Sequence, residues 1–256
     1  MPGFLLEKWY MDVVADDGAA VIGYYANLKW KKFSATYGGF IYRNRNGSVR
    51  HHNSFHNNID PHLDSSKLSW KSGDFYGEWQ AIDSPVRIEL LHENDNFIDW
   101  HCIMPKGNGK VMVGNDSMEG LGYAEKMTLN ILPWRLPIQE LYWGRFLCRE
   151  YTVIWIEWRG TQPKLLLLVN GEISDQASIS NESIQSHDLN LTFLSKHELR
   201  SGSVGETIFK SIRQMFWIFP AKIFQLREHK WCGMANLTLA GNQYSGTYIH
   251  EHVIWP

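Results

Sequence analysis

The chain has 256 residues, a formal net charge of −2 at pH 7 and 20% charged residues. The lack of a positive excess argues against a polyanionic partner such as a nucleic acid or an acidic membrane surface. A hydrophobic content of 44% is that of a globular protein which buries a core. Three distant cysteines without a CxxC pair argue against zinc and disulfide frameworks. With no signal-peptide features and no apolar run near ~20 residues, a cytoplasmic protein is predicted.

The N-terminal part of the sequence is typical of β-hairpins. Strands predicted over 7–14 and 19–32 flank the turn Asp16–Gly18, and a second pair of strands flanks the turn Arg45–Gly47. Turn signals continue every ~8–12 residues, which is typical of all-β barrels and sandwiches. The exception lies between Thr207 and Leu226. Helical spacing there predicts one or two short helices near 206–228.

The centre of the chain, from Gly120 to Trp158, is rich in aromatic residues and is predicted to hold three strands. Pro133 and Pro137 interrupt it, so the segment between them is predicted to be neither helix nor central strand. The turn-rich composition of the segment Pro105–Lys110 predicts a boundary nearby. We therefore expect two domains, over 1–110 and 111–256.

Three motifs of this central stretch resemble one known superfamily. They are the GxGYxE pattern ending at Glu125, the PWRLPIxELxWGRF segment and the WIEWRG turn, and the IHEHVIW segment near residue 255 adds to the resemblance. The motifs are similar to those of AttH-like proteins and carotenoid 1,2-hydratases (hydroxyneurosporene synthases), a superfamily that decalin-forming Diels–Alderases also resemble. The resemblance implies two lipocalin-like antiparallel β-barrels or sandwiches packed together, with a hydrophobic pocket.

Glu125 is the first candidate catalytic residue. Strand alternation over 121–130 places it on a face with apolar and aromatic neighbours. Burial favours the protonated carboxylic acid near neutral pH, which is the form that can protonate an alkene. The alternative is a structural ion pair with Lys126, Arg135 or Arg145.

Asp99 and His101 are two further candidates. They lie two residues apart on one strand, so they share a face and can relay a proton. The alternative for Asp99 is a solvated outer face, with Trp100 and Cys102 buried on the other side. The superfamily resemblance places a tryptophan–histidine pair at this point, which keeps His101 among the candidates.

Glu157 is a second candidate carboxylate, on the strand face of Val153 and Trp155. Two acids in different surroundings can divide proton donation and proton removal. Pairing with Arg159 is the alternative.

Aromatic side chains are predicted to shape the substrate pocket, because the face of an aromatic ring stabilises a carbocation by ~0.5–2 kcal/mol. The candidate substrate-binding residues are Tyr123, Trp134, Tyr142, Trp143, Arg145, Trp155 and Trp158. Tyr142 and Gly144 share one face of their strand, and Trp143 and Arg145 share the other, so only one of these pairs can face a cavity. Gly144 indicates either room for a ligand or a close approach of another group. Ordinary core packing is the alternative for the aromatic residues.

No metal or cofactor is predicted. His250 and His252 share a strand face, but no further ligand has suitable spacing, and no nucleotide-binding or nucleophile motif is present. The sequence therefore predicts a cofactor-free hydratase, isomerase or cyclase that acts on a small hydrophobic isoprenoid or polyene. Two alternatives remain: a pericyclic cyclase that folds its substrate without proton transfer, and a carrier that only binds the ligand.

Overall fold

The computed structural model describes residues 3–55, 58–207 and 221–256. These residues form an almost all-β protein, as the sequence predicts, with two curled antiparallel sheets of ten strands each. Contacts divide the chain into two compact units, Met1–Leu132 and Pro133–Pro256. No described helix is long and apolar enough to cross a membrane.

The first unit contains strands β1 to β10. They are β1 (Phe4–Val14), β2 (Ala20–Trp30), β3 (Phe33–Arg43), β4 (Val49–Ser54), β5 (His62–Asp64), β6 (Lys67–Ser72), β7 (Phe75–Ala81), β8 (Val86–Glu93), β9 (Asn96–Val113) and β10 (Asp116–Leu129). Their order in the sheet is β4-β3-β2-β1-β10-β9-β7-β6-β5, and β8 pairs with β9 beside β7. The first and last strands are thus neighbours.

The second unit contains strands β11 to β20. They are β11 (Glu140–Leu147), β12 (Thr152–Arg159), β13 (Lys164–Val169), β14 (Glu172–Ser174), β15 (Ser178–Ile179), β16 (Ser183–Gln185), β17 (Leu189–Phe193), β18 (His197–Ser203), β19 (Arg227–Leu239) and β20 (Asn242–Ile254). Their order is β14-β13-β12-β11-β20-β19-β17-β16-β15, with β18 on β19. Each strand of the second sheet has the same place in the order as its counterpart in the first sheet, so that β11 corresponds to β1 and β20 to β10. The two units therefore share one topology.

The predicted N-terminal hairpins are confirmed. β1 pairs with β2 and β3 pairs with β4 in antiparallel register. The turn glycines Gly18 and Gly47 have φ angles of 82° and 86°, a region that glycine reaches without a steric penalty.

The division of the chain lies after Leu132, whereas the sequence placed it after residue 110. Residue 110 lies within β9, which pairs with both β7 and β10. Because β10 also pairs with β1, the whole β9–β10 hairpin belongs to the first sheet. The turn-rich composition before residue 110 corresponds to an irregular strand followed by a tight turn. The division between the two units lies later in the chain, after Leu132.

Each sheet packs a hydrophobic core against one of its faces. In the first unit this core includes Val13, Tyr25, Trp70 and Trp79. The second core contains the buried residues Tyr142, Phe146, Val153, Trp155, Leu191 and Tyr248. We call the core-facing side of each sheet its inner face and the opposite side its outer face. The outer faces of the central strands also carry buried residues.

The helices among the described residues are short. α1 spans Val204–Thr207 and begins just before the range near 206–228 where short helices were predicted, and α2 spans Ala221–Gln225 within that range. The rest of that prediction, over 208–220, lies outside the described residues. A single 3-10 turn covers Pro133–Arg135, where the sequence predicted no helix. Proline is tolerated in a first helical turn because the N–H that it lacks would have no partner there.

Candidate functional site

Glu125 lies near the middle of the first sheet. On β10 it is opposite Tyr10 of β1 and Cys102 of β9. Its neighbour Ala124 belongs to the first core, so Glu125 lies on the outer face. The residue is only 5% exposed, as expected for a carboxyl group placed among apolar neighbours.

Two hydrogen-bond donors hold one oxygen of this carboxyl group. Nε1 of Trp100 donates to Oε2 at 2.5 Å, and the hydroxyl of Tyr123 donates to the same atom at 2.6 Å. An indole N–H can only donate. Burial raises the pKa of Tyr123 well above its ordinary value, so the phenol keeps its proton and also donates. Both donors therefore converge on Oε2 of this carboxyl group.

Three tyrosines line the outer face beside Glu125. The rings of Tyr10 and Tyr123 meet edge to face with centroids 6.0 Å apart, and those of Tyr10 and Tyr24 do so at 5.5 Å. Burial also raises the pKa of Cys102 well above its ordinary value, so this thiol is neutral. Aromatic and thiol groups thus surround the carboxyl group of Glu125, and the buried residue Asp12 lies opposite Tyr123 on the same face.

Lys126, one predicted ion-pair partner of Glu125, has another partner. Its Nζ lies 2.6 Å from Oε1 of Glu7. Because Lys126 follows Glu125 directly on the strand, it points to the inner face. The ion pair that the sequence offered between these neighbours does not form.

Asp99 and His101 lie on the inner face and are therefore separated from Glu125 by the sheet. His101 is opposite Lys126 and Cys102 is opposite Glu125. Asp99 pairs with Arg87 at 2.6 Å, and the Arg87 side chain is 70% exposed. Trp100 and Cys102 are fully buried, as the alternative for Asp99 expected, but Asp99 lies on the inner face and its side chain is only 21% exposed.

His101 is half-buried. Burial lowers its pKa below the ordinary value, and the nearby Arg87 lowers it further. The imidazole is therefore neutral at pH 7 and has the capacity to accept a proton, but no described contact joins it to the Glu125 carboxyl group.

The aromatic candidates of the second unit divide between two faces as the strand alternation predicts. Tyr142 and Trp155 belong to the inner core. Trp143, Arg145 and Trp158 lie on the opposite face and are also buried. The structure therefore does not gather the predicted substrate-binding residues of this unit on one surface.

The lack of a side chain at Gly144 makes room for the ring of Trp155. A Cβ atom at this position would come within 2.3 Å of the Trp155 ring and 2.5 Å of the Ile249 carbonyl oxygen. Of the two interpretations that the sequence offered for this glycine, the close approach of another group is the one observed.

Glu157 pairs with Arg159, as the sequence alternative proposed. Nη2 of Arg159 lies 2.9 Å from Oε2 and Nε lies 3.1 Å from Oε1. The same guanidinium also lies 3.3 Å from a carboxylate oxygen of Glu140 and over the ring of Tyr142. A carboxylate held at both oxygens by a guanidinium is poorly suited to hold a transferable proton.

His250 is fully buried in the second core and has a defined tautomer. Nε1 of Trp155 lies 3.1 Å from Nδ1 of His250, and because an indole N–H only donates, Nδ1 must accept. The proton of the neutral ring is then on Nε2, which lies 3.3 Å from Oδ1 of Asn181. Burial lowers the pKa of His250 from 6.5 to about 3, which fits this neutral form.

We expect the unfolding free energy of the second unit to decrease as the pH is lowered, because of His250. Its pKa is about 3 in the folded chain against an ordinary value of 6.5, so protonation favours the unfolded chain. The contribution of the neutral ring is complete above pH ~6.5. It is lost at roughly 1.4 kcal/mol per pH unit as the pH falls toward 3. Urea unfolding at several pH values measures this slope.

A His250→Gln variant should show a shallower decline of the unfolding free energy between pH 6.5 and 4. The matched control is His187→Gln, because the His187 side chain is 92% exposed. Equal slopes for both variants and the parent chain would contradict the assignment.

A group of buried charges on the outer face of the second sheet was not anticipated from the sequence. Nζ of Lys230 lies 2.7 Å from Oε1 of Glu228 and 3.0 Å from Oε2 of Glu251. Arg200 approaches the other oxygen of Glu228 at 3.6 Å. The Lys230 side chain is 1% exposed. Such a charge is tolerated only when it is paired.

Trp134 is the candidate substrate-binding residue that lines a described cavity, beside α2 and the end of β20. No group of three or more His, Cys, Asp or Glu side chains within 3–55, 58–207 and 221–256 is arranged to hold a metal ion.

Solved structures with a similar fold include three proteins whose chains are matched almost end to end. A protein assigned to AttH from Nitrosomonas europaea has a TM-score of 0.61 at 8% identity, covering 99% of this chain and 93% of that one. CghA with Sch210972 has a TM-score of 0.58 at 9% identity, covering 99% and 89%. Kievitone hydratase from Nectria haematococca has a TM-score of 0.57 at 10% identity, also covering 99% and 89%.

No family model matches the sequence, and no curated protein matches it either. Identities near 10% carry the architecture and leave the chemistry open. The motif resemblance and the structural matches agree on that architecture. The chain shares the two-sheet fold of these three solved structures.

Proposed function

We propose that the protein is a cofactor-free hydratase, isomerase or cyclase for a hydrophobic isoprenoid or polyene, with Glu125 as the proton donor. The observation that carries the proposal is the position of the Glu125 carboxyl group. It is buried on a face lined by aromatic rings, and its Oε2 accepts hydrogen bonds from Trp100 and Tyr123. A hydratase among proteins of the same fold supports the same class of reaction.

The first step is the transfer of a proton from Oε1 of Glu125 to one carbon of an alkene. The π electrons of the alkene form the new C–H bond, and the adjacent carbon becomes a carbocation. In hydration, water adds to this cation and returns a proton to the carboxylate. In cyclisation, a second double bond attacks the cation, and loss of a proton from carbon to the carboxylate completes an isomerisation.

Trp100 and Tyr123 would assist this transfer through the other carboxyl oxygen. Negative charge develops on the carboxyl group as the proton leaves, and two donors already point at Oε2. Donors fixed before the reaction stabilise such charge without reorganisation, and removal of one donor of this kind typically costs ~10²–10³ in rate. Burial of the carboxyl group acts in the opposite sense, because it disfavours the charged form.

The tyrosines beside Glu125 would stabilise the positive charge on the substrate. An aromatic face near a cation contributes ~0.5–2 kcal/mol, and Tyr10, Tyr24 and Tyr123 lie together on this side of the sheet. Their rings also exclude water, which favours an apolar hydrocarbon over a polar substrate.

Incubation with candidate alkenes in D₂O tests the proposal. The probes are kievitone, farnesol and a linear carotenoid, and the products are examined by mass spectrometry and NMR. We expect one deuterium on the carbon next to the new C–O or C–C bond. Conversion without deuterium on carbon would favour the pericyclic alternative, and binding without conversion would favour the carrier. Either result would overturn the acid mechanism.

A further inference from the structure

A small cavity lies in the second unit. Its volume is about 110 Å³. The lining residues are Trp134, Leu136, Ile138, Lys222, Ile223, Leu226, Trp255 and Pro256. They come from the segment around the 3-10 turn, from α2 and the residue after it, and from the end of β20. We call it the Trp134–Trp255 cavity.

The polar groups that the side chains of this cavity offer are all donors. The indole N–H of Trp255 is buried and has no hydrogen-bond partner among the described residues. Lys222 contributes a positive charge, and its side chain takes part in no recorded ion pair within the described part of the chain. The other lining side chains are hydrocarbon, apart from the indole of Trp134. A ligand that complements this set is apolar and carries an acceptor, preferably an anionic one.

The backbone holds this arrangement in place. The amide of Trp255 donates to the carbonyl of Gln139 at 2.8 Å, which fixes the end of β20 against the start of β11. The amide of Trp255 is thereby paired, whereas its indole N–H has no acceptor within 3–55, 58–207 and 221–256. A buried donor without an acceptor costs free energy unless a ligand supplies one.

The volume limits the size of the bound group. A water molecule occupies ~30 Å³ in the liquid, so a cavity of about 110 Å³ encloses roughly four groups of that size. This matches the branched end of a five-carbon acid, and a longer chain would have to extend outside.

We propose that the Trp134–Trp255 cavity binds a short branched carboxylate, or the corresponding carboxylate-bearing end of a longer apolar molecule. The hydrocarbon part packs against the lining apolar side chains, and the carboxylate accepts from the Trp255 N–H near Lys222. This site is independent of Glu125, and its occupation requires no chemical reaction.

Titration of the intact protein with 3-methylbutanoate, followed through the indole ¹H–¹⁵N signals, tests the proposal. The signal absent from a Trp255→Phe variant identifies Trp255. We expect it to shift downfield in a saturable manner with 3-methylbutanoate, and to respond far less to 3-methylbutanol. Lys222→Met should weaken carboxylate binding about three- to five-fold, as expected for a partly exposed ion pair.

The control Lys29→Met removes the same charge from an exposed position on β2 and should leave the binding unchanged. Any of three results would overturn the assignment. The Trp255 signal keeps its chemical shift on addition of 3-methylbutanoate, it shifts equally with the acid and the alcohol, or the two lysine variants change binding equally. The measurement does not involve turnover, so it remains valid whether or not Glu125 acts as an acid.

Discussion

Glu125→Gln is expected to lower alkene turnover by about 10²–10⁴-fold, the range that a general acid contributes. Glutamine has nearly the same shape, and its carbonyl oxygen can accept from Trp100 and Tyr123 in place of Oε2. It has no acidic proton to transfer to carbon. Steady-state kinetics on a probe that the parent chain converts give the ratio of turnover rates, and circular dichroism verifies that the fold is kept.

The matched control for this variant is Glu119→Gln on the same strand. The Glu119 side chain is 68% exposed and pairs with Lys110 at the surface, so its replacement by glutamine should leave turnover unchanged. Full activity of Glu125→Gln would refute proton donation by this residue. Equal losses in both variants would point to a general effect of changing β10.

Lys230→Met is expected to destabilise the second unit by about 3–5 kcal/mol. The variant leaves Glu228 and Glu251 buried without the ammonium group that lies 2.7 and 3.0 Å from their oxygens. Methionine fills a similar volume, so the loss reports on charge more than on packing. Urea unfolding followed by the resolved indole ¹H–¹⁵N signals of second-unit tryptophans such as Trp155 measures the difference.

Neutralising Glu251 in the same background should recover part of this loss. The double variant Lys230→Met, Glu251→Gln removes one carboxylate that has lost its ammonium partner and leaves Glu228 beside Arg200. Lys110→Met serves as the surface control, because that ion pair is 67% and 68% exposed and such pairs contribute about 0–1 kcal/mol. If Lys230→Met lowered the unfolding free energy no more than Lys110→Met, the charges described as buried would have to be solvated by water.

The sequence predicted the faces of the strands well because a strand alternates with a period of two residues. Tyr142 and Gly144 were correctly separated from Trp143, and Asp99 from Trp100. The alternation does not depend on which strands pair. The turn glycines were equally clear, because their backbone conformation is a local property.

The surroundings of Glu125 depend on strand register, which was beyond sequence analysis. Counting back from the turn pair Val113–Asp116 with no irregularity places Glu125 opposite Met104. Two register shifts near Gly122 and Ala124 move it opposite Cys102 instead. Trp100, two pairs further along and on the same face, comes within reach of the carboxyl group as a result. A bulge adds a residue to one strand only, and nothing in the local composition revealed these two.

The buried charges around Lys230 were missed for a similar reason. Arg200, Lys230 and Glu251 lie on three different strands and become neighbours only through the β18–β19 and β19–β20 pairings. In sequence each of them is an ordinary charged residue of a strand. Their juxtaposition is a property of the sheet order, which alternation alone does not determine.

The pairing of first with last strand in each unit has a consequence for synthesis on the ribosome. The edge of β1 that receives β10 stays open until the nascent chain has been extended to residue 129, a delay of roughly ten seconds at typical elongation rates. An open strand edge can pair with other chains, so newly made first halves are exposed to such pairing during this interval. The second half repeats the same exposure, because β11 waits for β20.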